Sequence, residues 1–527
     1  MTDTHRTLKS VFEKSLEKHA DRTAVRFADE SLTYAELDRR ANAVARGLAE
    51  RGVGPNDRVA LVLTNTVEYL LADLGVIKAG ATKIPLNDSL TADEFEYMLS
   101  DSRAGTVVCG TAFVETVAGM RDSLPHLETV VGVDDGGGLP DGVEPFAALD
   151  GEAPTSPDVL PAPADLAGHF YTGGTTGRPK GVLHTQAGMT MNAYAHVVEL
   201  GITGDETLLL TTPLPHSAGV FLWAGLLTGA TVLVRDGFDP ETVLDLIEDR
   251  SVTWTFMVPT MIYRVLDAPE LAETDTSSVE TLAYGAAPMT PARLREGLEA
   301  FGPVFLQFYG QTEVPNLVTT FGKREHETAV ERGRTERLSS AGQPCLMADV
   351  RVVDVETGER LPPGEEGELL ATAPYVMAEY FERPEATAET MTDDGWVHTG
   401  DIGRVDADGY VYLLDRASDM IITGGMNVYS TEVEEALSEH PAVRQVAVIG
   451  VPDEDWGEAV KAIVVPDGEG SDSLAADVLA FADEHLADYK EPKSVDFVEE
   501  IPKTPYGKMD KKALRGRYWE DRERRIS

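Results

Sequence analysis

The sequence is poor in cysteine, in long apolar runs and in basic residues, and each shortage narrows what the protein can be. Cys109 and Cys345 are the only cysteines, which excludes a disulfide scaffold or a cysteine-rich metal site and favours a reducing cytoplasm. No apolar run reaches the roughly 18 residues that a membrane span needs. The opening residues, MTDTHRTLKS, lack the apolar segment of a secretory signal. We therefore expect a cytoplasmic protein without a membrane span.

Basic residues are the clearest shortage: 45 Lys and Arg stand against 90 Asp and Glu, a formal net charge of -45. Such a field repels nucleic acid and anionic membranes, so no nucleic-acid partner is expected. An acidic excess of this size suits high salt, where charges are screened over short distances, and indicates a halophilic setting. Any anion site must be locally basic, yet no lysine lies between Lys83 and Lys180 or between Lys180 and Lys323.

The length of 527 residues, with 42% hydrophobic residues, predicts two or more domains. In the first part, apolar residues at helical spacing in 31–52 precede a short strand (RVALVL) and a second helix closed by Gly80. This alternation predicts α/β layers around a mainly parallel sheet. Short strands with Asp-Gly turns begin near 401–419, and from about Asp415 onward the pattern is that of a compact α+β unit.

The stretch YTGGTTGRPKG (Tyr171–Gly181) concentrates glycine, threonine and one lysine. Glycine is costly unless the backbone takes positive φ or approaches a ligand closely. With hydroxyls and an ammonium group, the pattern is typical of a loop around a polyphosphate. It is not a Walker A motif, because Pro179 directly precedes Lys180 and disfavours helical geometry at Arg178. A strand–loop–strand over phosphates fits better; the alternative is a flexible surface turn.

Six further motifs follow this loop in order: Tyr284–Pro288 (YGAAP), Tyr309–Glu313 (YGQTE), Thr399–Asp401 (TGD), Asp415–Arg416 (DR), Gly424–Asn427 (GGMN) and Thr504–Lys508 (TPYGK). Their order and spacing resemble the acyl-adenylate-forming superfamily, which includes acyl-CoA synthetases, adenylation domains of peptide synthetases and luciferases. The resemblance covers nearly the whole chain, from SLTYAELD to GKMDKKAL. It implies an α/β fold with a large N-terminal domain of layered α/β sheets (1–414), a hinge (415–418) and a smaller mobile α+β C-terminal domain (419–527).

The resemblance also implies the chemistry: ATP and a carboxylate give acyl-AMP and pyrophosphate, and the acyl group then passes to a thiol. Glu313 would bind Mg²⁺ together with Thr176, and Thr312 would reach the α-phosphate. The residues implied to hold the β- and γ-phosphates are Thr172, Gly173, Gly174, Thr175, Thr176 and Lys180. Those implied around adenine and ribose are Tyr309, Gly310, Gly285, Ala286, Ala287, Asp401 and Arg416.

By the same resemblance, Lys508 bridges the substrate carboxylate and the α-phosphate. Lys508→Ala should then abolish acyl-AMP formation while thioester formation from supplied acyl-AMP survives. The alternative role is a basic face formed with Lys511 and Lys512. Two positions depart from the family: Ser418 stands where the hinge residue is usually Asp or Lys, and Ser430 where relatives usually carry proline.

Further motifs concern the binding of the acyl group and of the thiol. His216, in PLPHSAG, resembles the residue that gates the acyl pocket and thiol tunnel of CoA ligases; a structural histidine is the alternative. Gly424, Gly425 and Trp456 resemble the pantetheine passage. The predicted pocket is apolar, which suits a fatty or aryl acid, and is built from 221–225, 257–261, Tyr284, Gly285 and Phe308–Gly310.

The leading hypothesis is an ATP- and Mg²⁺-dependent acyl-CoA ligase for a medium- or long-chain fatty acid or a related hydrophobic carboxylic acid. Coenzyme A is the expected co-substrate, since no carrier domain follows KKALRGRYWE. The alternatives are an aryl-acid CoA ligase, a stand-alone adenylation enzyme that loads a carrier protein, and a nucleotide-binding sensor without turnover. The oligomeric state, a homodimer included, stays open.

Overall fold

A computed structural model describes residues 7–27, 30–172, 178–453, 456–503 and 509–519. The chain forms two compact units. Unit 1 comprises the residues up to Thr172, Pro179–Val350 and Ala371–Val397. Unit 2 contains chiefly Arg351–Leu370 and the chain from His398 onward.

Strands occur throughout the described chain. They are β1 (Thr23–Phe27), β2 (Glu30–Thr33), β3 (Arg58–Val62), β4 (Thr82–Pro85), β5 (Thr106–Cys109), β6 (Thr129–Gly132), β7 (Glu144–Pro145), β8 (Leu166–Tyr171), β9 (Gly181–Thr185), β10 (Thr207–Leu210), β11 (Thr231–Val234), β12 (Trp254–Met257), β13 (Thr281–Gly285), β14 (Phe305–Gln311), β15 (Val314–Phe321), β16 (Gln343–Pro344), β17 (Asp349–Val353), β18 (Glu366–Thr372), β19 (Glu379–Tyr380), β20 (Val397–Val405), β21 (Val411–Arg416), β22 (Ile421–Thr423), β23 (Met426–Val428), β24 (Val443–Asp453), β25 (Gly457–Pro466) and β26 (Ser494–Phe497).

Helices alternate with these strands. They are α1 (Leu8–Lys18), α2 (Tyr34–Glu50), α3 (Val67–Ala79), α4 (Ala92–Ser102), α5 (Val114–Gly119), α6 (Gln186–Glu199), α7 (Gly219–Thr228), α8 (Pro240–Arg250), α9 (Pro259–Leu266), α10 (Pro291–Phe301), α11 (Lys323–Glu331), α12 (Pro384–Thr390), α13 (Ser430–Ser438), α14 (Asp472–His485) and α15 (Lys511–Gly516). Among the described residues, no helix has both the length and the apolar composition needed to cross a membrane.

Unit 1 contains two large sheets. The nine-stranded sheet has the order β16-β15-β14-β13-β12-β10-β11-β1-β2, and its strands from β14 to β1 run parallel. The eight-stranded sheet has the order β19-β9-β8-β4-β3-β5-β6-β7 and is parallel from β8 to β7. Units such as β3-α3-β4 and β12-α9-β13 connect parallel neighbours, as parallel sheets require.

Helix α3 shows why unit 1 has a dense core. Its sequence is apolar on all sides, and the helix is buried at nearly every position before Gly80 ends it in the left-handed region (φ 73°). Gly75 lets α2 approach closely, since a Cβ there would lie 2.5 Å from Val44 Cγ1. The fully buried carboxylate on the helix, Asp73, is paired with Lys83 at 2.6 Å, as a buried carboxylate requires.

Unit 2 contains the four-stranded sheet β17-β18-β20-β21, apart from a few strand-end residues, and the five-stranded sheet of β22 to β26. The second sheet is built on the long antiparallel hairpin β24–β25. Helices α13 and α14 cover it through a small apolar core that includes Val433, Leu437 and Val478. Unit 2 is therefore an α+β unit with local strand pairing.

The predicted α/β architecture, with a large N-terminal part and a smaller C-terminal part, is confirmed. The helix predicted within 31–52 begins only at Tyr34, because Thr33 caps it in a reciprocal pair with Glu36 and the preceding residues form β2. The predicted hinge at 415–418 lies inside unit 2. Packing does not report motion, so the hinge and the boundaries 1–414 and 419–527 stay predictions.

Candidate active site

The predicted site residues of unit 1 lie beyond the carboxyl ends of parallel strands in the nine-stranded sheet. β10 leads to His216, β13 ends at Gly285, and β14 ends just before the turn that holds Thr312 and Glu313. Ligands of open α/β sheets bind at these strand ends. The topology thus brings motifs that are distant in the sequence to one edge of unit 1.

The glycine-rich stretch connects β8 to β9, which pair antiparallel. The N–H of Thr172 donates to the carbonyl of Lys180 at 3.1 Å, and its Oγ1 accepts from the N–H of Lys180 at 3.2 Å. The two strands of the predicted strand–loop–strand are therefore present, with Thr172 and Lys180 at the base. The predicted phosphate ligands that lie outside the described residues are Gly173, Gly174, Thr175 and Thr176, the last also a predicted Mg²⁺ ligand.

One aromatic ring joins the loop lysine to the glutamate of the YGQTE motif. The Lys180 ammonium lies 4.0 Å from the ring centre of Tyr380, and the Tyr380 hydroxyl donates to Glu313 Oε1 at 2.5 Å. Burial raises the pKa of Tyr380, so its hydroxyl keeps the proton it donates. Lys180 and Glu313 are half-buried, whereas Tyr380 is buried. A cation and a carboxylate thus contact the same tyrosine, and both are within reach of solvent.

Backbone contacts fix the turn between β14 and β15. His184 Nε2 lies 2.8 Å from the carbonyl oxygen of Thr312, and the N–H of Met377 donates to the carbonyl of Glu313 at 2.8 Å. Burial lowers the pKa of His184 to about 4, so the ring is neutral and its Nε2–H donates. These bonds engage main-chain oxygens and leave the Thr312 and Glu313 side chains to other partners.

Within the described ranges, no group of three or more His, Cys, Asp or Glu side chains is arranged to hold a metal ion. Mg²⁺ does not need such a cage, because it is commonly bound by one or two carboxylates together with substrate phosphates and waters. The Glu313 carboxylate fits this mode, because a carboxylate whose Oε1 accepts from the Tyr380 hydroxyl has further lone pairs with which to bind a metal ion. The donor set therefore suits Mg²⁺ bound together with a nucleotide.

Two glycines that were predicted to lie at the adenine site, Gly285 and Gly310, allow close backbone packing there. A Cβ on Gly285 would lie 2.6 Å from the carbonyl oxygen of Phe308, and a Cβ on Gly310 would lie 2.4 Å from the backbone of Asn316. Both distances are shorter than real Cβ atoms tolerate. These glycines are required by packing, and a substitution at either would displace the strand ends that carry the site.

The predicted adenine-binding residues lie next to one another on two neighbouring strands. Gly285 pairs with Phe308, so Ala286 and Tyr309 come next on neighbouring strands. Ala286 has φ +66°, a region that non-glycine residues rarely adopt. Ala286 and Ala287 are exposed, and Tyr309 is half-buried. Two small exposed side chains beside an aromatic ring leave room for a flat base.

His216 interrupts an irregular helical turn, Leu214–Ala218, with φ −109° and ψ −150°. Its Nε2 lies 2.7 Å from Nδ2 of Asn87, which follows β4 of the eight-stranded sheet. Gly219 is required next, because a Cβ there would lie 2.4 Å from the Leu214 carbonyl oxygen. A half-buried histidine outside helical geometry suits the predicted gate, which stays a prediction.

Several aromatic residues that the sequence analysis assigned to the acyl pocket lie in the core instead. Tyr284 is 1% exposed, and its hydroxyl lies 2.9 Å from Nε2 of His326. Trp223 is also 1% exposed and donates from Nε1 to Asp73 at 2.6 Å. Phe221 is fully buried. Parallel sheets are covered on both faces, so large side chains at these positions fill the interior.

In unit 2, the predicted ribose ligands Asp401 and Arg416 lie opposite each other on β20 and β21. Arg416 Nε is 2.6 Å from Asp401 Oδ1. Thr399 Oγ1 donates to the carbonyl of Leu369 at 2.7 Å and accepts from the N–H of Asp401 at 3.1 Å. The threonine thereby ties the TGD motif to β18, and the Asp401 carboxylate is held by Arg416.

The predicted pantetheine residues also meet within unit 2. Gly424 and Gly425 form the two-residue turn from β22 to β23, with φ +57° and +81°, as this hairpin type requires. The N–H of Gly424 donates to the carbonyl of Trp456 at 2.8 Å. The Trp456 side chain is 53% exposed. Together they form an exposed surface of aromatic ring and backbone.

Lys511 is buried, which corrects the alternative basic face with Lys512. Its Nζ lies 2.7 Å from Glu434 Oε1 and donates to Ser430 Oγ at 2.6 Å. The Ser430 hydroxyl in turn donates to Asp415 Oδ2 at 2.7 Å. The serine that replaces the usual proline thus links a buried lysine to the DR motif.

The two remaining predictions for unit 2 concern Lys508 and Ser418. Lys508 lies outside the described residues, and α15 begins three positions later. Ser418 lies between Asp415 and Asp419, and Asp419 is paired with Arg515 of α15 at 2.7 Å. Both roles stay predictions.

Sequence reasoning missed Tyr380, Asn87 and His184, each of which contacts a predicted site residue. Tyr380 is 67 positions from Glu313, and Asn87 is 129 positions from His216. No motif contains them. The available signal was their place at or next to a strand end, which has meaning only once the strand order is known.

Comparison with known families gives two matches. The profile described as AMP-binding enzyme matches residues 12–381, and the profile described as AMP-binding enzyme C-terminal domain matches residues 432–508. The first match includes every predicted site residue of unit 1.

Individual proteins are similar over almost their full length. The feruloyl-CoA synthase of an Amycolatopsis species is 40% identical over 498 residues, which covers 94% of this chain and 96% of that protein. The medium/long-chain-fatty-acid–CoA ligase FadD8 of Mycobacterium tuberculosis is 35% identical, with 97% and 90% covered. The crystal structure of ATP-bound MatB from Rhodopseudomonas palustris superposes with a TM-score of 0.86 at 32% identity, covering 98% of this chain and 99% of that one.

Proposed function

The chain belongs to the AMP-binding enzyme family, and from this premise we propose how its residues divide the work of an ATP-dependent acid–thiol ligase. The enzyme joins a hydrophobic carboxylic acid to coenzyme A through an acyl-AMP intermediate and releases AMP and pyrophosphate. The observation that carries the proposal is the group formed by Lys180, Tyr380 and Glu313 at the strand ends of unit 1.

In the first step, a carboxylate oxygen attacks the α-phosphorus of ATP, and the bond to the β-phosphate breaks to release pyrophosphate. Two anions must approach each other in a protein of net charge -45, so local cations are needed. Lys180 and Thr172 bind the β- and γ-phosphates, and Thr312 donates to the α-phosphate. Mg²⁺ held by Glu313 would neutralise phosphate charge. Lys508 bridges the carboxylate and the α-phosphate.

In the second step, the thiol of coenzyme A attacks the acyl carbonyl carbon, AMP leaves with the electron pair of the C–O bond, and the thiol proton passes to solvent. His216 gates access for the thiol. The residues assigned to adenine are Tyr309, Gly310, Gly285, Ala286 and Ala287, those assigned to ribose are Asp401 and Arg416, and those assigned to pantetheine are Gly424, Gly425 and Trp456.

Both a fatty acid and an aryl acid are candidate substrates. A medium- or long-chain fatty acid is favoured by the similarity to a fatty-acid–CoA ligase, and an aryl acid by the similarity to a feruloyl-CoA synthase. A cytoplasmic, salt-adapted enzyme is supported by the acidic composition and by the two free, buried cysteines.

A pyrophosphate-release screen over a panel of alkyl and aryl acids, with coenzyme A and at low and high KCl, tests the function. We expect acid-dependent pyrophosphate release, and AMP release that requires coenzyme A. AMP release with a carrier protein in place of coenzyme A would favour the carrier-loading alternative. A protein that binds ATP but releases no pyrophosphate with any acid would be a sensor, and the ligase assignment would be wrong.

A further inference from the structure

A chain of hydrogen bonds runs from the residue after the predicted gate into the core of unit 1. Ser217 Oγ lies 2.9 Å from Asn316 Oδ1. Asn316 Nδ2 lies 3.1 Å from His196 Nε2. His196 Nδ1 lies 2.8 Å from the carbonyl oxygen of Asn192. Three segments that are far apart in the sequence, α6, α7 with its preceding turn, and β15, supply these groups.

The donor and the acceptor of each hydrogen bond in this series can be assigned from its buried end, His196. His196 is fully buried, and burial lowers its pKa to about 4, so the ring carries one hydrogen at neutral pH. A carbonyl only accepts, so that hydrogen is on Nδ1 and Nε2 accepts. Asn316 must then donate from Nδ2 to His196, which directs Oδ1 to Ser217. The Ser217 hydroxyl therefore donates inward.

The outer end of the chain lies between two predicted parts of the active site. Ser217 directly follows His216, and Asn316 lies three residues beyond Glu313, at most roughly 10 Å along the strand. The backbone of Asn316 packs against Gly310, in a left-handed conformation (φ +62°) that asparagine tolerates. Ser217 and Asn316 are half-buried, whereas His196 is buried. The polar chain thus reaches an accessible surface beside the residues assigned to the adenylate.

The fixed polarity determines what this surface can bind. Because the hydrogen of Ser217 points inward, its oxygen offers lone pairs to an incoming donor. Asn316 uses one amide hydrogen on His196, and its amide carries a second that can donate to an incoming acceptor. A hydroxyl group is both donor and acceptor, so it matches a serine oxygen and an amide N–H side by side.

We propose that Ser217 and Asn316 recognise a hydroxyl group on the hydrophobic part of the acid, which makes hydroxylated acids the preferred substrates. The inference rests on the proposed acid–thiol ligase function and deepens it. An unsubstituted tail would cover these polar atoms without replacing the hydrogen bonds they make to water, which costs binding. The hydroxyl can come from a phenolic ring or from a hydroxylated alkyl chain.

The wild-type enzyme tests the inference with two matched pairs: 4-hydroxycinnamic acid against cinnamic acid, and 10-hydroxydecanoic acid against decanoic acid. We expect kcat/KM for thioester formation to be about tenfold higher or more for one hydroxylated member, the gain from one added hydrogen bond. A preference confined to the first pair identifies a phenolic source, and one confined to the second an alkyl source. Equal use of plain and hydroxylated acids would overturn the inference alone. No thioester from any acid would overturn the proposed function as well.

Two variants assign the preference to the serine. Ser217→Ala removes the acceptor, and we expect the ratio of kcat/KM between hydroxylated and plain acid to fall to about one. Ser217→Thr keeps a hydroxyl and should retain the preference. A ratio unchanged in Ser217→Ala, or lost equally in both variants, would overturn the role of the serine oxygen. A variant that does not fold leaves the wild-type comparison as the deciding measurement.

Discussion

Unit 1 and unit 2 differ in how they bury ionisable side chains. Unit 1 buries an ion pair, Asp73 with Lys83, together with four histidines that burial keeps neutral. Their pKa values are lowered from the ordinary 6.5 to about 3 for one and about 4 for the others: His169, His184, His196 and His326. Most of these rings donate or accept hydrogen bonds without carrying charge.

Unit 2 buries a cluster in which two carboxylates, Asp415 and Glu434, lie near one lysine, Lys511. Burial raises the pKa of Asp415 and of Glu434, although Lys511 opposes the rise in both. Burial lowers the pKa of Lys511, but Glu434 and Asp415 outweigh it and the net direction is upward. The charges of this cluster compensate one another.

The difference bears on the different roles that we propose for two lysines of the protein. Lys180 of unit 1 is half-buried against the ring of Tyr380, which suits a charge that we propose to serve a ligand. Lys511 of unit 2 is 7% exposed and surrounded by carboxylates, so its charge is used inside the protein. Burial and partners, rather than residue type, separate the lysine that we propose to bind phosphate from the structural one.

Lowering the pH should produce the largest difference in stability between the two units. Between about pH 6.5 and 4, the buried histidines of unit 1 bind protons in the unfolded chain but stay neutral in folded unit 1. The stability of unit 1 therefore falls as the pH falls. Each such histidine contributes up to about 1.4 kcal/mol per pH unit in this window. The raised pKa values of Asp415 and Glu434 act in the opposite sense, because their folded forms hold protons more readily and favour unit 2 at low pH.

Hydrogen exchange, corrected for intrinsic pH dependence, measures this difference by segment. We expect protection in β8, β9 and α6 to be lost at a higher pH than protection in β24 and β25. His326→Gln should flatten the pH dependence of unit 1, whereas His126→Gln, at an exposed histidine, should not. Simultaneous loss of protection in both units would count against the comparison.

Removing the buried lysine should destabilise unit 2 severely. Lys511→Met leaves Glu434 and Asp415 buried without their cation, and breaking a buried pair in this way costs about 3–5 kcal/mol. Urea unfolding with hydrogen exchange as the local probe gives the free energy of unfolding. Lys512→Met, at the exposed neighbour, should stay within about 0.5 kcal/mol of wild type. A loss below about 1 kcal/mol for Lys511→Met would mean that the cluster is not a compensated one.

A smaller effect is expected at the ring that Lys180 contacts. Tyr380→Phe keeps the ring but removes the hydroxyl that donates to Glu313, which should weaken Mg²⁺-dependent ATP binding by about tenfold. Titration calorimetry at varied Mg²⁺ measures it. Tyr375→Phe removes another buried hydroxyl of unit 1, bonded to the carbonyl of Leu317, and should lower stability without changing the Mg²⁺ dependence. The same Mg²⁺ dependence of ATP binding in both variants would mean that the Tyr380 hydroxyl has no role in the site.

Much of the site was predictable from the sequence because its motifs are local. The paired base of the loop at Thr172 and Lys180, the strand end at Gly285 and the turn at Glu313 follow from patterns within a few residues. The family and the acid–thiol ligase activity, predicted from the order of those motifs, are confirmed.

The contacts that were missed or misjudged depend on the order and register of distant strands. The Tyr380 ring meets Lys180 only because β19 pairs with β9. Tyr284 was assigned to the acyl pocket, yet residues on a sheet covered on both faces are buried wherever their side chains point. Lys511 belongs to a run of basic residues, and only folding shows that it is buried whereas its neighbour Lys512 is exposed.

The most direct test of the account is calorimetric binding of ATP and of AMP to wild type and to Lys180→Met. If Lys180 serves the β- and γ-phosphates, the variant should bind Mg²⁺-ATP about 10- to 100-fold more weakly, the loss of one charge-assisted hydrogen bond. AMP lacks both phosphates, so its affinity should not change. Equal weakening of both nucleotides, or unchanged ATP affinity, would contradict the assignment of this half-buried lysine to the phosphates.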